Sequence, residues 1–125
     1  MARKSVSVPS EAQEQQRVVE YLEWKGLCYV HTPNEGKRNP VTGNILKRMG
    51  MKKGFPDLFI YEPVGGYHGL AIEMKSLIGK PTAEQLNWLG ELKQRGYVAY
   101  IAYGADQAIR IIEAYMKGEL GNVNE

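Results

Sequence analysis

The run GLAIEMKSLIG, residues 69–79, constrains this chain more than any other stretch. Leu70, Ile72 and Met74 alternate with Glu73 and Lys75, the two-residue period of a β-strand whose faces carry different chemistry. The apolar set fixes the register, because a slip of one residue would put both charges in the core. A carboxylate and an ammonium therefore project together from one side of the strand. A solvated sheet face accounts for such a pair at least cost, and so does a site that uses both charges.

Around this strand the sequence reads as one domain. Its 125 residues suit a single hydrophobic core, and a chain 43% hydrophobic and 24% charged argues against disorder. The longest apolar runs fall far short of a bilayer span, so no membrane segment is expected. MARKSVSVPS carries two positive charges with no apolar stretch after them, which predicts a flexible tail over 1–9 rather than a secretory signal. A second tail is expected over 119–125, leaving 10–118 as the domain. Cys28 stands alone, so no intrachain disulfide is possible and a reducing cytoplasm is the expected home. Between Leu27 and Tyr29 it reads as core filling rather than as a catalytic thiol.

Local signals give the order of elements. Ser10 and Gln13 form a capping box ahead of Ala12, Gln15, Val18, Val19 and Leu22 at helical spacing, and Gly26 stops the helix. LCYVHT (27–32) predicts a short strand, followed by a long Pro/Gly/Asn-rich stretch with a helical turn at ILKRM. DLFIYE (57–62) and LAIEMK (70–75) predict two adjacent strands joined by the turn PVGGYHG. Thr82 and Gln85 cap a helix with Leu86, Leu89 and Leu92 on one stripe, and Gly96 ends it. VAYIAY (98–103) predicts a strand, and Asp106 to Lys117 a final helix. The order α-β-β-β-α-β-α predicts an α/β fold with a mixed sheet flanked by helices, since the middle strands are joined by a short turn.

Charge is unevenly placed. Residues 33–54 hold Lys37, Arg38, Lys47, Arg48, Lys52 and Lys53 against Glu35 alone, while the other segments hold ten basic and thirteen acidic residues. A basic segment on an otherwise acidic chain is the footprint expected of polyanion binding, although a solvated Lys-rich loop would look the same.

Chemistry converges next to that segment. Aspartate is depleted in strands, and this chain has only two, so Asp57 at the start of DLFIYE is notable. If the hairpin folds back, Asp57 and Glu73 approach across the sheet. Two carboxylates that close repel unless a cation lies between them, and an all-oxygen set without a Cys or His cluster suits Mg²⁺ or Mn²⁺. Lys75 can then orient or help deprotonate the attacking water and offset phosphate charge. P-D-x₁₅-E-x-K is the pattern of PD-(D/E)xK nucleases, weak by itself but here falling on two adjacent predicted strands.

More of the chain than this triad carries a resemblance. EAQEQQRVVEYL, NEGKR, GFPDL, AIEMK and TAEQLNWLGEL followed by glycine together resemble the virus-type replication–repair nuclease (VRR-NUC) domain family, from about Glu11 to Tyr115. The resemblance implies a restriction-endonuclease-like fold and divalent-metal-dependent phosphodiester hydrolysis. It implies Asp57 and Glu73 as metal ligands with the main-chain carbonyl of Met74, Lys75 as the catalytic lysine, and Glu11 and Gln85 as further site residues. Stand-alone members of viral or bacterial type resemble homodimers that cut branched DNA, four-way junctions included. A cytoplasmic setting in a bacterial or phage-infected cell follows from the same likeness.

Plainer roles compete for several of these residues. Glu11 would also favour the positive N-terminus of its helix. Gln15, one turn later, either supports the site or is solvated, and Gln85 either serves the site or only caps its helix. His31 and His68 lack partners at ligand spacing and read as hydrogen-bonded strand-end or turn residues. Trp24 and Trp88 could stack on bases but read better as helix-face packing. The sequence is thus read as a small metal-dependent endodeoxyribonuclease whose segment Asn34–Lys53 (Asn34, Lys37, Arg38, Lys47, Arg48, Lys52 and Lys53) holds the phosphate backbone. A flap or nicking nuclease is the nearest alternative, and a catalytically silent DNA-binding module the alternative from another class.

Overall fold

The structure, a computed structural model, describes residues 7–33 and 40–120. Its elements run α1 (Glu11–Lys25), β1 (Tyr29–His31), α2 (Pro40–Arg48), β2 (Leu58–Ile60), β3 (Leu70–Lys75), α3 (Ala83–Gln94), β4 (Val98–Tyr103) and α4 (Ala105–Lys117). The strands form one mixed sheet in the order β1-β2-β3-β4, antiparallel except for the parallel pair β3–β4. This is the expected α/β arrangement of a restriction-endonuclease-like fold. One element differs: the turn expected at ILKRM is the C-terminal part of a nine-residue helix that begins at Pro40. Proline is tolerated in the first turn of a helix, which hid the start inside a loop-like composition. The strands predicted at 27–32 and 57–62 shorten to three residues each. Among the described residues, no helix is long and apolar enough to cross a membrane.

Helix ends follow the local chemistry. Ser10 accepts a hydrogen bond from Gln13 N at 3.1 Å while Gln13 Oε1 accepts from Ser10 N at 2.8 Å, and Thr82 and Gln85 repeat this reciprocal pair at α3. Gly26 closes α1 in the left-handed conformation.

Two layers of helix sandwich the sheet. α1 and α4 pack on the face that presents Leu58, Ile60, Leu70, Ile72 and Met74, burying Val18, Leu22, Ile111, Ile112 and Tyr115 with them. α3 covers the other face through Leu89 and Leu92, against Phe59, Ala71 and Ala99. Every residue of β3 is buried. The solvated-face reading of Glu73 and Lys75 is therefore overturned, because α3 and its flanking turns cover the side on which they project.

Several packing expectations change as well. Cys28 is exposed rather than core filling, since β1 lies at the sheet edge. Trp24 is 78% exposed and packs into no core, whereas Trp88 meets Phe55 edge-on. His68 behaves as a turn residue: its amide donates to Gly96 O, and its ring packs beside Tyr97.

The buried stripe of α1 contains a carboxylate in place of a hydrophobe. Glu14 is 2% exposed, and its Oε1 accepts from Ala105 N at 2.9 Å and from Arg17 at 3.2 Å. α4 is preceded by Gly104, which has no side chain to cap it, so Glu14 caps that helix from a neighbouring element. Glu14→Ala should lower the unfolding free energy by about 1–3 kcal/mol, because a buried amide loses its acceptor. Arg17→Ala removes a half-exposed partner and should cost below about 1 kcal/mol in the same urea titration.

Candidate active site

Two elements and one loop bring the charged residues together. The β2–β3 ladder pairs Leu58 with Ile72, so Asp57, one residue earlier, lies across from Glu73. Asp57 Oδ2 accepts from Met74 N at 2.9 Å, a buried bond that fixes the carboxylate just ahead of β2. In an extended strand the N–H and C=O of one residue face the same edge, so the Met74 carbonyl also faces the side of Asp57. Glu11, the first residue of α1, reaches the same point although its helix packs on the opposite sheet face. One carboxylate oxygen from each of Glu11, Asp57 and Glu73 lies within 4.8 Å of the others.

Lys75 completes the cluster. Its Nζ is 3.7 Å from Glu73 Oε2 and 4.0 Å from Glu11 Oε2. Asp57, Glu73 and Lys75 are 3%, 0% and 7% exposed, so these charges act in a medium where pair interactions are far stronger than in water. Glu11 is partly exposed and opens the cluster to solvent. A groove of about 870 Å³ runs from it between α1 and β1, lined by Gln15, Gln16, Tyr29 and His31, with Asp57 at its floor.

Gln85 resolves an apparent alternative. Its Oε1 accepts from Thr82 N at 2.8 Å, and its Nε2 donates to Glu73 Oε2 at 3.0 Å. One amide both caps α3 and holds the carboxylate, each task using a different end of the group. Gln15 is likewise not merely solvated. Its Nε2 is 2.8 Å from His31 Nδ1, which in turn lies 3.1 Å from the main-chain oxygen of Asp57. His31 ends β1 as a hydrogen-bonded strand-end residue, yet its position beside Asp57 was invisible in the sequence. The i, i+4 spacing of Glu11 and Gln15 is the one signal that pointed there.

Gly54 allows the segment before Pro56-Asp57 to close on α3. It holds a positive φ of 84°, and a Cβ would meet Glu84 Cβ at 2.7 Å and Gln85 N at 2.9 Å. The loop carrying Asp57 and the helix carrying Gln85 are thereby docked together.

Four of the basic residues sit on α2 and the loop after it. Lys47 and Arg48 occupy the last turn of α2, both exposed, and Lys52 and Lys53 follow it. Lys53 is 3.7 Å from Glu84, an exposed pair of little energetic weight; the backbone N–H of Glu84 itself, and after it Lys53, holds that carboxyl below its usual range. Asn34, Lys37 and Arg38 lie outside the described residues.

The donor set suits a hard divalent cation. Three carboxylates face one ammonium, every candidate ligand atom is oxygen, and neither histidine nor cysteine enters the cluster. Without a cation, the three carboxylates repel one another in a mostly buried site.

A family model for the VRR-NUC domain matches residues 9–106. Among solved structures, one described as a "VRR_NUC domain protein" is similar with a TM-score of 0.79 and 28% sequence identity, over 94% of this chain and 100% of that one. No curated protein matches the sequence.

Ion binding at this cluster should register as stability. At a hundredfold excess over its dissociation constant, Mg²⁺ or Mn²⁺ should add about 2.7 kcal/mol to the folded state, seen as a raised thermal midpoint by calorimetry. Asp57→Asn and Glu73→Gln should remove most of that increment while leaving the fold intact.

Proposed function

Since the chain belongs to the VRR-NUC domain family, which implies a nuclease of the PD-(D/E)xK type, we propose that it is a divalent-metal-dependent endodeoxyribonuclease acting on branched DNA. The observation that carries this reading is the convergence of Glu11, Asp57 and Glu73 within 4.8 Å, with the Lys75 ammonium 3.7 Å from Glu73. Asp57, Glu73 and the Met74 carbonyl would hold Mg²⁺ or Mn²⁺, with Glu11 at the solvent side. A bound ion would supply a polarised phosphoryl oxygen and a water of lowered pKa.

The chain's own groups account for the rest. Lys75, anchored between two carboxylates, orients the attacking water and offsets the negative charge that grows on the phosphoryl oxygens. The water adds in line to phosphorus, releasing a proton to solvent, as the opposite P–O bond breaks, and the departing oxygen takes a proton from solvent. Gln85 keeps Glu73 from turning away. The groove between α1 and β1 gives the scissile strand access to a cluster that is otherwise covered. Lys47, Arg48, Lys52 and Lys53, with Asn34, Lys37 and Arg38, serve the phosphate backbone.

A homodimer fits a four-way junction, because two equivalent strands call for two equivalent sites and closed two-fold pairs are the commonest assemblies. Of the four tyrosines around the last strand and helix, Tyr115 is committed to the fold, buried with its hydroxyl donating to Glu62 O at 2.6 Å. Tyr97 packs edge-on against Phe59. Tyr100 and Tyr103, half-buried on the edge strand β4, offer material for a contact surface.

On labelled four-way, flap and linear DNA, cleavage should require Mg²⁺ or Mn²⁺ and be fastest on the branched substrates. Asp57→Asn and Lys75→Ala should each lower the rate on the order of 10³-fold with DNA binding largely retained; cutting in excess chelator would overturn the metal mechanism. Separately, Lys47→Ala combined with Arg48→Ala should reduce the salt slope of log K by roughly 0.9 for each phosphate that is no longer neutralised. An unchanged slope in filter binding would return that turn of α2 to ordinary surface.

A further inference from the structure

Helix α2 contributes nothing to either core. None of its residues is buried, and only Gly43 and Leu46 are even half-buried. Its outward side is nevertheless apolar. Val41, Ile45 and Met49 follow one another at four-residue spacing, the last just past the helix end, and are 70%, 47% and 77% exposed. Residues at i, i+4 and i+8 form one stripe along a helix, so these are a patch rather than scattered exposures. Arg48, three residues after Ile45, borders the stripe, and Lys47 lies beyond it.

The charge around the stripe selects its partner. Residues 40–56 contain Lys47, Arg48, Lys52 and Lys53 and no carboxylate. That complements a polyanion, and it disfavours a second copy of the same basic helix. Cations suffice for a phosphate backbone, and apolar side chains gain nothing from it. They gain only from the apolar part of a nucleic acid, the base faces. In a continuous duplex those faces are stacked against each other, and the grooves offer only base edges. At a branch, a gap or a kinked step the faces open, and Ile- and Met-type side chains can enter as wedges. The tether sets the reach: Arg48 precedes Asp57 by nine residues, which places the Met49 end of the stripe within about 30 Å of the candidate metal cluster, under one helical turn of DNA.

We propose that the Val41–Ile45–Met49 stripe is a wedge that packs against exposed base faces at a branch point, while Arg48 and Lys47 hold the flanking phosphates. The wedge would select branched over linear DNA for the cluster at Asp57. It rests on the nuclease reading for the DNA substrate and goes beyond it in naming the element that recognises the branch.

The test measures binding without divalent metal, so that it does not depend on cleavage. A four-way junction carrying 2-aminopurine at the branch, and a linear duplex carrying it internally, are titrated with the full chain and with Ile45→Gln/Met49→Gln. The unaltered chain should brighten the junction probe alone, because unstacking relieves quenching. The double variant should lose that signal and about tenfold in junction affinity, with a change under about twofold on the linear duplex. Ile45→Leu/Met49→Leu, which keeps an apolar wedge, should restore both. Equal weakening on the two DNAs, or none on either, would overturn the wedge. So would sedimentation equilibrium in which the glutamine variant alone turns a dimer into a monomer, since the stripe would then be a protein contact. A chain that binds and cuts DNA yet ignores the substitutions defeats only this inference, whereas one that binds no DNA defeats the nuclease reading itself.

Discussion

The structure turns on placing Glu73 and Lys75 inside a strand covered on both faces. Removing charges from water costs several kcal/mol for each ion after relaxation, and mutual attraction repays it only when geometry and hydrogen bonds are good. Here the compensation is spread over the fold. Gln85 reaches Glu73 from α3, Glu11 reaches Lys75 from α1, and Asp57 is tied to the Met74 amide of the same strand. Each partner arrives from a different element, so the site forms only when both helical layers are docked. What the carboxylates still lack in neutralisation is what a divalent ion would supply. That residual imbalance is better read as function than as defect, since an apolar pair would serve stability at less cost.

The two cores divide the work. The larger one, between α1, α4 and the sheet, is closed by aliphatic side chains and by the capping of α4 from Glu14. It fixes the axis of α1, and with it the position of Glu11 at the helix start. The smaller core under α3 sets Gln85 and, through the close approach at Gly54, the loop carrying Asp57. The ligand candidates thus sit at the seam of two rigid packings. Preorganisation of this kind is what a catalytic cluster needs, because a displacement of about 1 Å can cost on the order of 10²-fold in rate. α2 stands outside both packings.

Much of this was legible in the sequence because it depends on local chemistry. The capping boxes at Ser10 and Thr82, the stop at Gly26 and the two-residue alternation of LAIEMK each fix an element or a register from a few neighbouring residues. The spacing of Asp57, Glu73 and Lys75 on two adjacent strands follows from that register, and the family likeness of the surrounding motifs agrees with it. What the sequence could not supply was any consequence of which surfaces meet. Amphipathic alternation is the same whether the polar face meets water or a second helix layer, so only α3 decided that Glu73 and Lys75 are buried. Glu14 looks like any solvated helix glutamate until α4 arrives with an uncapped amide beside it. Gln15 and His31 belong near Asp57 only because β1 pairs with β2, and Cys28 is exposed because that pairing leaves β1 at the edge. The sequence by itself determined every element but the full length of α2, their order and the charged set. The tertiary structure decided burial, the long-range partners and the convergence of three carboxylates, because each depends on contacts between residues far apart in the chain.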